Sequence, residues 1–151
     1  MKKLFLLFIT FYINVAIAQT PAMVGGIEAP KEVTEKFTKQ HPEITPNWSK
    51  ENKNYKATYE DPKTAKQVII VYDKNGEVIR KESELDNMDY PKQIHEYYSK
   101  NYPEEKYKTW SVQDHTGVNS YYVNHGPEII WFDKDGKYIP DQKPKKSFRK
   151  K

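Results

Sequence analysis

The sequence predicts an α+β fold in which two tandem α-β-β-β-β units form one antiparallel sheet with helices on one face. The main observation is an internal repeat, because Pro30-Lys31-Glu32-Val33 recurs 61 positions later as Pro91-Lys92-Gln93-Ile94. A second match is Asp73-Lys74-Asn75-Gly76, which recurs 60 positions later as Asp133-Lys134-Asp135-Gly136. A spacing that is held so closely over a whole unit indicates duplicated supersecondary structure. The repeats cover residues 30–86 and 90–139 of a single domain.

The first repeat begins with a short helix. Pro30 suits the first helical turn, because the N–H that proline lacks would have no partner there. Val33 and Phe37 are four residues apart and share one face of the helix, and Pro42 ends it.

Four strands are predicted after this helix, around Trp48 and at 55–59, 67–72 and 77–80. The run 55–59 alternates with a period of two, whereas 67–72 is apolar on both faces and is expected to be central. Asn75-Gly76 is a strong hairpin signal between the last two strands.

The second repeat follows the same plan. Its helix is predicted from about Pro91 to Lys100, with Ile94 and Tyr98 facing inward. Its strands are expected around Trp110 and at 118–123, 128–132 and 137–139. Helices on one side of such a sheet leave the other face partly open.

The segments that flank the domain carry different signals. Residues 1–18 resemble a signal peptide, with Lys2 and Lys3, an apolar stretch and the small-x-small site Ala16-Ile17-Ala18. The apolar stretch is too short and interrupted to span a bilayer. Residues 19–29 read as a flexible lead-in and 140–151 as a basic tail. The chain has no cysteine for lipidation, so a periplasmic or secreted protein is expected.

The formal net charge of +4 is unevenly distributed. The last nine residues hold six bases and no acid, whereas residues 19–142 contain 17 basic and 21 acidic residues. The tail suits nucleic acid, acidic lipid or anionic glycan, but a solvated segment is the favoured interpretation. Export argues against a nucleic-acid partner.

Catalytic and cofactor motifs are absent from the sequence. It has no Gly-x-Ser-x-Gly, no cysteine nucleophile and no Gly-rich phosphate loop, so no catalytic residue, no cofactor and no enzyme activity are expected. Asp73-x-Asn75-Gly76 resembles part of a calcium loop, but Val78 and Ile79 follow in strand phase. A hairpin explains the motif without metal. The four histidines are His41, His95, His115 and His125.

Aromatic residues give the remaining signal. Trp48 and Trp110 are assigned to one repeat position, which favours the core for both. Trp131 replaces Val71 and Tyr121 replaces Thr58 in the repeat comparison, so the shared scaffold does not require them. Large amphipathic side chains on a sheet face are typical binding anchors. Trp131, Tyr121 and Trp110 are therefore the predicted partner-binding residues.

The ordered set of motifs resembles the PepSY-like family of exported proteins, whose fold is likened to the beta-lactamase inhibitor protein. The set consists of the export signal, Pro-x-x-Val/Ile at the helix start, the His41-Pro42 stop, Trp48, the Tyr-x-Ala-x-Tyr strand at 55–59 and the Asp-Lys-x-Gly hairpins. The family is common in Bacteroidetes. The resemblance implies a curved sheet that serves as a binding surface, without catalytic residues. The second repeat departs from it at Val118-Asn119-Ser120-Tyr121-Tyr122.

The predicted function is non-enzymatic. We expect an exported protein that binds or inhibits a protein or peptide of the bacterial envelope through the open sheet face, without a membrane span after signal removal. The alternative is a periplasmic sensor of a small ligand or calcium, motivated by the Asp-rich hairpins.

Overall fold

The computed structural model describes residues 26–86, 89–103, 105–117 and 119–140. The predicted signal peptide, residues 19–25 of the lead-in and all of the basic tail except Pro140 lie outside these ranges. The elements in chain order are α1 (Lys31–Gln40), β1 (Asn47–Glu51), β2 (Asn54–Glu60), β3 (Gln67–Tyr72), β4 (Val78–Leu85), α2 (Lys92–Asn101), β5 (Thr109–Asp114), β6 (Asn119–His125), β7 (Glu128–Phe132) and β8 (Tyr138–Ile139).

All eight strands form one sheet, and their order in the sheet is their order in the chain. Each strand is antiparallel to its neighbours. The segment containing α2 connects β4 to β5, which also pair directly. The predicted α+β class with a single antiparallel sheet is confirmed.

Both helices begin and end in the same way. The carbonyl of Pro30 accepts the Val33 N–H at 3.0 Å, and that of Pro91 accepts the Ile94 N–H at 3.0 Å. At the other ends, the His41 and Tyr102 N–H groups donate over 2.8 Å to the carbonyls four residues earlier. The predicted inward residues are buried, namely Val33 and Phe37 on α1 and Ile94 and Tyr98 on α2.

The two Gly hairpins dock against the helix starts. The Asp73 carboxylate accepts the backbone N–H groups of Asn75 and Glu77 at 2.8 and 2.9 Å. Asp133 makes the equivalent pair of bonds in the β7–β8 hairpin. A Cβ on Gly136 (φ +78°) would lie 2.6 Å from the Cβ of Pro91. These glycines provide both the turn and the space for the helix, so the hairpin interpretation is confirmed.

Strand β4 is longer than predicted. The expected strand 77–80 becomes Val78–Leu85, with β3 on one side and β5 on the other. Its second half, Lys81-Glu82-Ser83-Glu84-Leu85, lacks apolar alternation, so the pattern gave no strand signal. This strand connects the two halves of the sheet.

Three clusters of buried side chains hold the fold together. One lies between α1 and β1–β3, and a second lies between α2 and β6–β7. A third lies on the opposite face of the sheet and contains Trp110, Val112 and Tyr122. Between the first two clusters the helix side of the sheet is polar.

The described part of the predicted lead-in belongs to the folded body. The Ile27 N–H donates to the Trp48 carbonyl at 3.3 Å, and Ala29 is buried in the first cluster. Residues 26–29 therefore correct the expectation of a flexible segment up to residue 29.

The proposed equivalence of Trp48 and Trp110 is wrong. Both are buried, but Trp48 packs against Phe37 on the helix side, whereas Trp110 belongs to the cluster on the opposite face. The buried residue 61 positions after Trp48 is Thr109. A register difference of one residue moves a side chain to the other face of the sheet.

Candidate binding surface

The sheet face away from the helices, hereafter the open face, is defined by the strand register. Alternate residues of each strand point to it, and register partners share a face. It includes Ser49, Glu51, Lys56, Thr58, Glu60, Ile69, Val71, Arg80, Glu82, Glu84, Trp110, Val112, Asp114, Ser120, Tyr122, Asn124, Ile129, Trp131 and Ile139.

A charged group lies across the first half of this face. Arg80 on β4 donates from both terminal nitrogens to the Glu51 carboxylate on β1, each at 2.8 Å. Its Nε also donates to Glu82 Oε1 at 2.6 Å. The pair with Glu51 spans β2 and β3, and Val71, the register partner of Arg80, is fully buried. Arginine suits this role, because its planar fork matches a carboxylate at two points.

An aromatic group continues the contacts into the second half of the face. The Tyr122 hydroxyl on β6 donates to Glu82 Oε2 at 2.8 Å. The Tyr122 ring stacks on Trp110, with centroids 5.8 Å apart and 3° between planes, and lies 5.2 Å from Trp131 on β7. Direct contacts thus run from β1 to β7. We call Glu51, Arg80, Glu82, Tyr122, Trp110 and Trp131 the cross-sheet network.

Burial and charge perturb two groups of the network. Burial opposes the charged form of Arg80, but the hydrogen bonds to Glu51 and the charge of Glu82 outweigh it and raise the pKa of the guanidinium. Burial, followed by the negative charge of Glu82, raises the pKa of the Tyr122 phenol. Arg80 therefore stays charged and Tyr122 stays neutral at physiological pH, so the contacts persist.

The exposed part of the network is at its β7 end. Trp110 and Tyr122 are only 5% and 7% exposed, whereas Trp131 is partly exposed. Ile69 and Ile129 are also partly buried and pack against the same cluster. The indole N–H of Trp110 is buried without a hydrogen-bond partner in the described part of the chain. Trp131 therefore packs against the buried Tyr122 ring, which itself stacks on the buried Trp110 ring.

The structure brings together two of the three predicted anchors. Trp110 and Trp131 both lie on the open face, with Tyr122 between them. The prediction that Tyr121 is an anchor on the open face is corrected. Tyr121 pairs with Ser111 and Phe132 and packs against the second cluster on the helix side. Its neighbour Tyr122 takes the open-face position.

Sequence reasoning missed four members of the network, namely Glu51, Arg80, Glu82 and Tyr122. Side chains alternate along a strand, so a correct strand phase would have selected Tyr122 instead of Tyr121. Arg80 was the last residue of the predicted fourth strand, and Glu82 lay beyond its end. A charged pair two residues apart, beside an apolar strand, was the available signal.

A polar cleft lies on the helix side, between the regions covered by α1 and α2. It is open, has a volume of about 300 Å³ and is lined by Lys81, Ser83, Leu85, Asp89, Ser111, Gln113, Asn119 and Tyr121. Tyr121 therefore contributes to this cleft and not to the open face.

Two of the four histidines, His41 and His125, pack against aromatic rings. His41 packs on Phe37 and Tyr59, and burial, followed by the charge of Lys81, lowers its pKa. His125 contacts the Tyr98 hydroxyl at 2.9 Å and Glu105 at 3.2 Å.

One serine–histidine contact is present on α2. His95 Nε2 lies 3.4 Å from the Ser99 hydroxyl, and its Nδ1 lies 3.0 Å from the Tyr107 hydroxyl. His95 and Ser99 are exposed. The third group is a phenol, whereas the Ser-His-Asp arrangement of hydrolases uses a buried carboxylate.

The described ranges contain no cluster of metal ligands and no helix that could span a membrane. Within them, no three histidine, aspartate or glutamate side chains converge on one point to hold an ion. The Asp73 and Asp133 carboxylates already accept backbone N–H groups in their hairpins. Neither described helix has the length and apolar character needed to cross a bilayer.

Solved structures from Bacteroides share this fold. A Bacteroides eggerthii protein described provisionally as periplasmic aligns with a TM-score of 0.61 at 15% identity, over 74% of this chain and 86% of its own. A DUF2874 family protein from Bacteroides uniformis gives 0.61 at 16% identity, over 74% and 87%. A BLIP-like protein from Bacteroides fragilis gives 0.51 at 14% identity, over 76% and 86%. None of the family models matches the sequence, and the curated proteins give no match.

Proposed function

We propose that this chain is an exported, non-enzymatic protein that binds a protein or peptide of the bacterial envelope on its open face. The observation that carries the proposal is Trp131, a partly exposed tryptophan held against the buried Tyr122 ring. A large aromatic side chain at the end of a fixed, desolvated cluster has the character of a binding hot spot. An anchor that is already ordered loses little conformational entropy when it binds.

The members of the network have different roles in this proposal. Trp131 makes the contact, with Ile69 and Ile129 as its apolar surroundings. Trp110 and Tyr122 are too buried to offer much area, so they support Trp131 from below. Arg80 and Glu82 fix the Tyr122 hydroxyl and thereby its ring.

The family and the cellular address are part of the same proposal. We assign the chain to PepSY-like exported proteins of periplasmic or secreted location, built from two tandem repeats. The helix ends support the repeat. The ring centroids of His41 and Phe37 are 4.9 Å apart with 39° between the ring planes, and those of Tyr102 and Tyr98 are 4.9 Å apart with 40° between the planes. The provisional description of the Bacteroides eggerthii protein as periplasmic supports the address.

A small-ligand sensor is the second candidate function. The polar cleft of about 300 Å³ between the two halves favours it, because hydroxyl, amide and charged groups line its walls together with Tyr121. A ligand bound only by the folded state must raise the melting temperature. A thermal-shift screen that includes millimolar calcium tests this candidate, and a set without any shift would remove it.

Affinity capture from an envelope fraction tests the leading proposal. The bait is the chain without its predicted signal peptide, beside the variant Trp131→Ala. Tyr138→Ala is the matched control, because Tyr138 is 40% exposed on the helix side of β8. We expect one protein to be retained by the wild type and by Tyr138→Ala but lost by Trp131→Ala. Equal retention by all three would remove Trp131 as the anchor.

A further inference from the structure

We propose that residues 141–151 of the basic tail lie across the open face of the same molecule and occupy it until a partner displaces them. The inference rests on the proposed function for the importance of this face. It adds a competitor built into the chain.

The exit point of the tail is the first argument. Strand β8 pairs with β7 so that Ile139 is the register partner of Trp131. Both side chains therefore point to the open face, and Pro140 follows directly. The described part of the chain therefore ends at the edge of the open face, beside Trp131.

Charge complementarity is the second argument. The open-face residues defined above include five carboxylates and two bases. Arg80 is shared between two of these carboxylates, and Lys108 pairs with a third, Glu84, at 2.7 Å. With Lys108 included, five carboxylates face three bases, so the face keeps an excess of two negative charges. Residues 141–151 contain six bases and one acid. Opposite charges attract over the distances across a sheet face at low salt, and the attraction weakens as salt is added.

Length and composition are the third argument. Eleven extended residues reach about 36 Å, and four strand spacings from β8 to β4 amount to about 19 Å. The segment can therefore reach Glu82 in the middle of the face. Phe148 supplies an apolar group among the bases, and nine extended residues from Ile139 carry it about 30 Å, as far as β3, where Ile69 is partly buried on the open face.

The absence of cysteine permits a direct test on the full chain without its signal peptide. Ser147→Cys introduces a single site for a nitroxide spin label, which broadens nearby NMR signals. The three indole N–H signals are the readout. Trp110 and Trp131 lie on the open face, whereas Trp48 lies on the helix side and is the internal control.

We expect the label to weaken the Trp110 and Trp131 signals strongly and the Trp48 signal little. The loss should disappear in high salt, and also when the six bases of the tail are replaced by glutamine. Unchanged or equally broadened indole signals would overturn the proposal.

Mixed samples identify other occupants. Spin-labelled protein at natural isotope abundance is mixed with ¹⁵N-enriched protein that carries no spin label. Only contacts between molecules can then broaden the observed signals. Broadening that is as strong in this mixture as within one molecule would assign the tail to a second copy and overturn the proposal. A tail that leaves the indoles unaffected but binds phosphatidylglycerol vesicles would also overturn it. Because this test needs no partner, its failure leaves the capture experiment intact.

Discussion

At the scale of single residues, Arg80 determines the character of the open face. It contacts Glu51 three strands away and Glu82 on its own strand. Glu82 in turn orders Tyr122, so one guanidinium connects the charged and the aromatic parts of the face. The alternation of side chains explains why sequence reasoning found Trp131 but chose Tyr121 over Tyr122. The sequence predicted a strand at this position, but it did not show which of the alternating side chains of β6 point to the open face.

Replacement of Arg80 by alanine should destabilise the fold. It leaves two carboxylates without their partner, and breaking a fully buried pair costs about 3–5 kcal/mol. Because the Arg80 side chain is 29% exposed, we expect about 2–3 kcal/mol. Urea unfolding measures the difference. Lys81→Ala, at the exposed neighbouring position, is the control, and an equal loss in both variants would contradict a special role for Arg80.

Alkaline pH should destabilise the protein through buried phenols. Burial raises the pKa of Tyr72 to about 12, above the value near 10 of an unfolded tyrosine. The folded state therefore holds this proton more tightly, so its stabilising effect is complete below pH 10 and is lost as pH rises through about 12. Urea unfolding at several pH values should show constant stability near neutrality and a decline above pH 10.

Tyr72→Phe is the matched variant for this pH dependence. The Tyr72 hydroxyl is buried without a hydrogen-bond partner among the described residues. Its removal should change stability little at pH 7 and make the decline above pH 10 shallower. The same decline in wild type and variant would show that other groups control alkaline unfolding.

At the scale of elements, the hairpins and helices act as docked pairs. The motif Asp-x-x-Gly was readable as a turn, but the sequence does not state that the glycine faces a helix start. Strand β4 could not be predicted in full from the sequence. Its polar second half is a strand because β3 and β5 pair with it on both sides. Long-range pairing of this kind leaves no local pattern.

Two glycine substitutions separate the turn from the docking. Gly136 (φ +78°) and Gly117 (φ +82°) share the left-handed backbone, so alanine costs each about 1–2 kcal/mol of strain. Only at Gly136 would the new Cβ meet Pro91, at 2.6 Å, while space around Gly117 is open. Gly136→Ala should therefore lower the melting temperature distinctly more than Gly117→Ala. Equal shifts in melting temperature would contradict a stabilising contact between the β7–β8 hairpin and the start of α2.

At the scale of the whole molecule, the continuous sheet joins the cluster beneath α1 to the cluster beneath α2, so we expect the two to unfold as one cooperative unit. The six register pairs between β4 and β5 and the contact from Glu82 to Tyr122 both connect the halves. The recurring sequence motifs made the sheet and its helix layer predictable from the sequence. The cross-sheet network was not predictable, because it joins residues up to 40 positions apart.

Native-state hydrogen exchange should show this cooperativity. Amides of β2 and β6 lie in different halves, and in a single folding unit their opening free energies should agree within about 1 kcal/mol. Mass spectrometry of peptides from the two strands measures both values in one sample. A markedly less protected β2 would indicate that the first half unfolds by itself.

The contact between Ile27 and Trp48 has a consequence for self-association. Strand β1 is the outer strand of the sheet, and an unpaired strand edge is a template for joining another chain. The Ile27 N–H occupies the Trp48 carbonyl on that edge, and Ala29 is packed beside it. Removal of the residues up to 29 would take away this contact, so we expect a chain that begins at residue 30 to self-associate along β1 more readily than a chain that begins at residue 19.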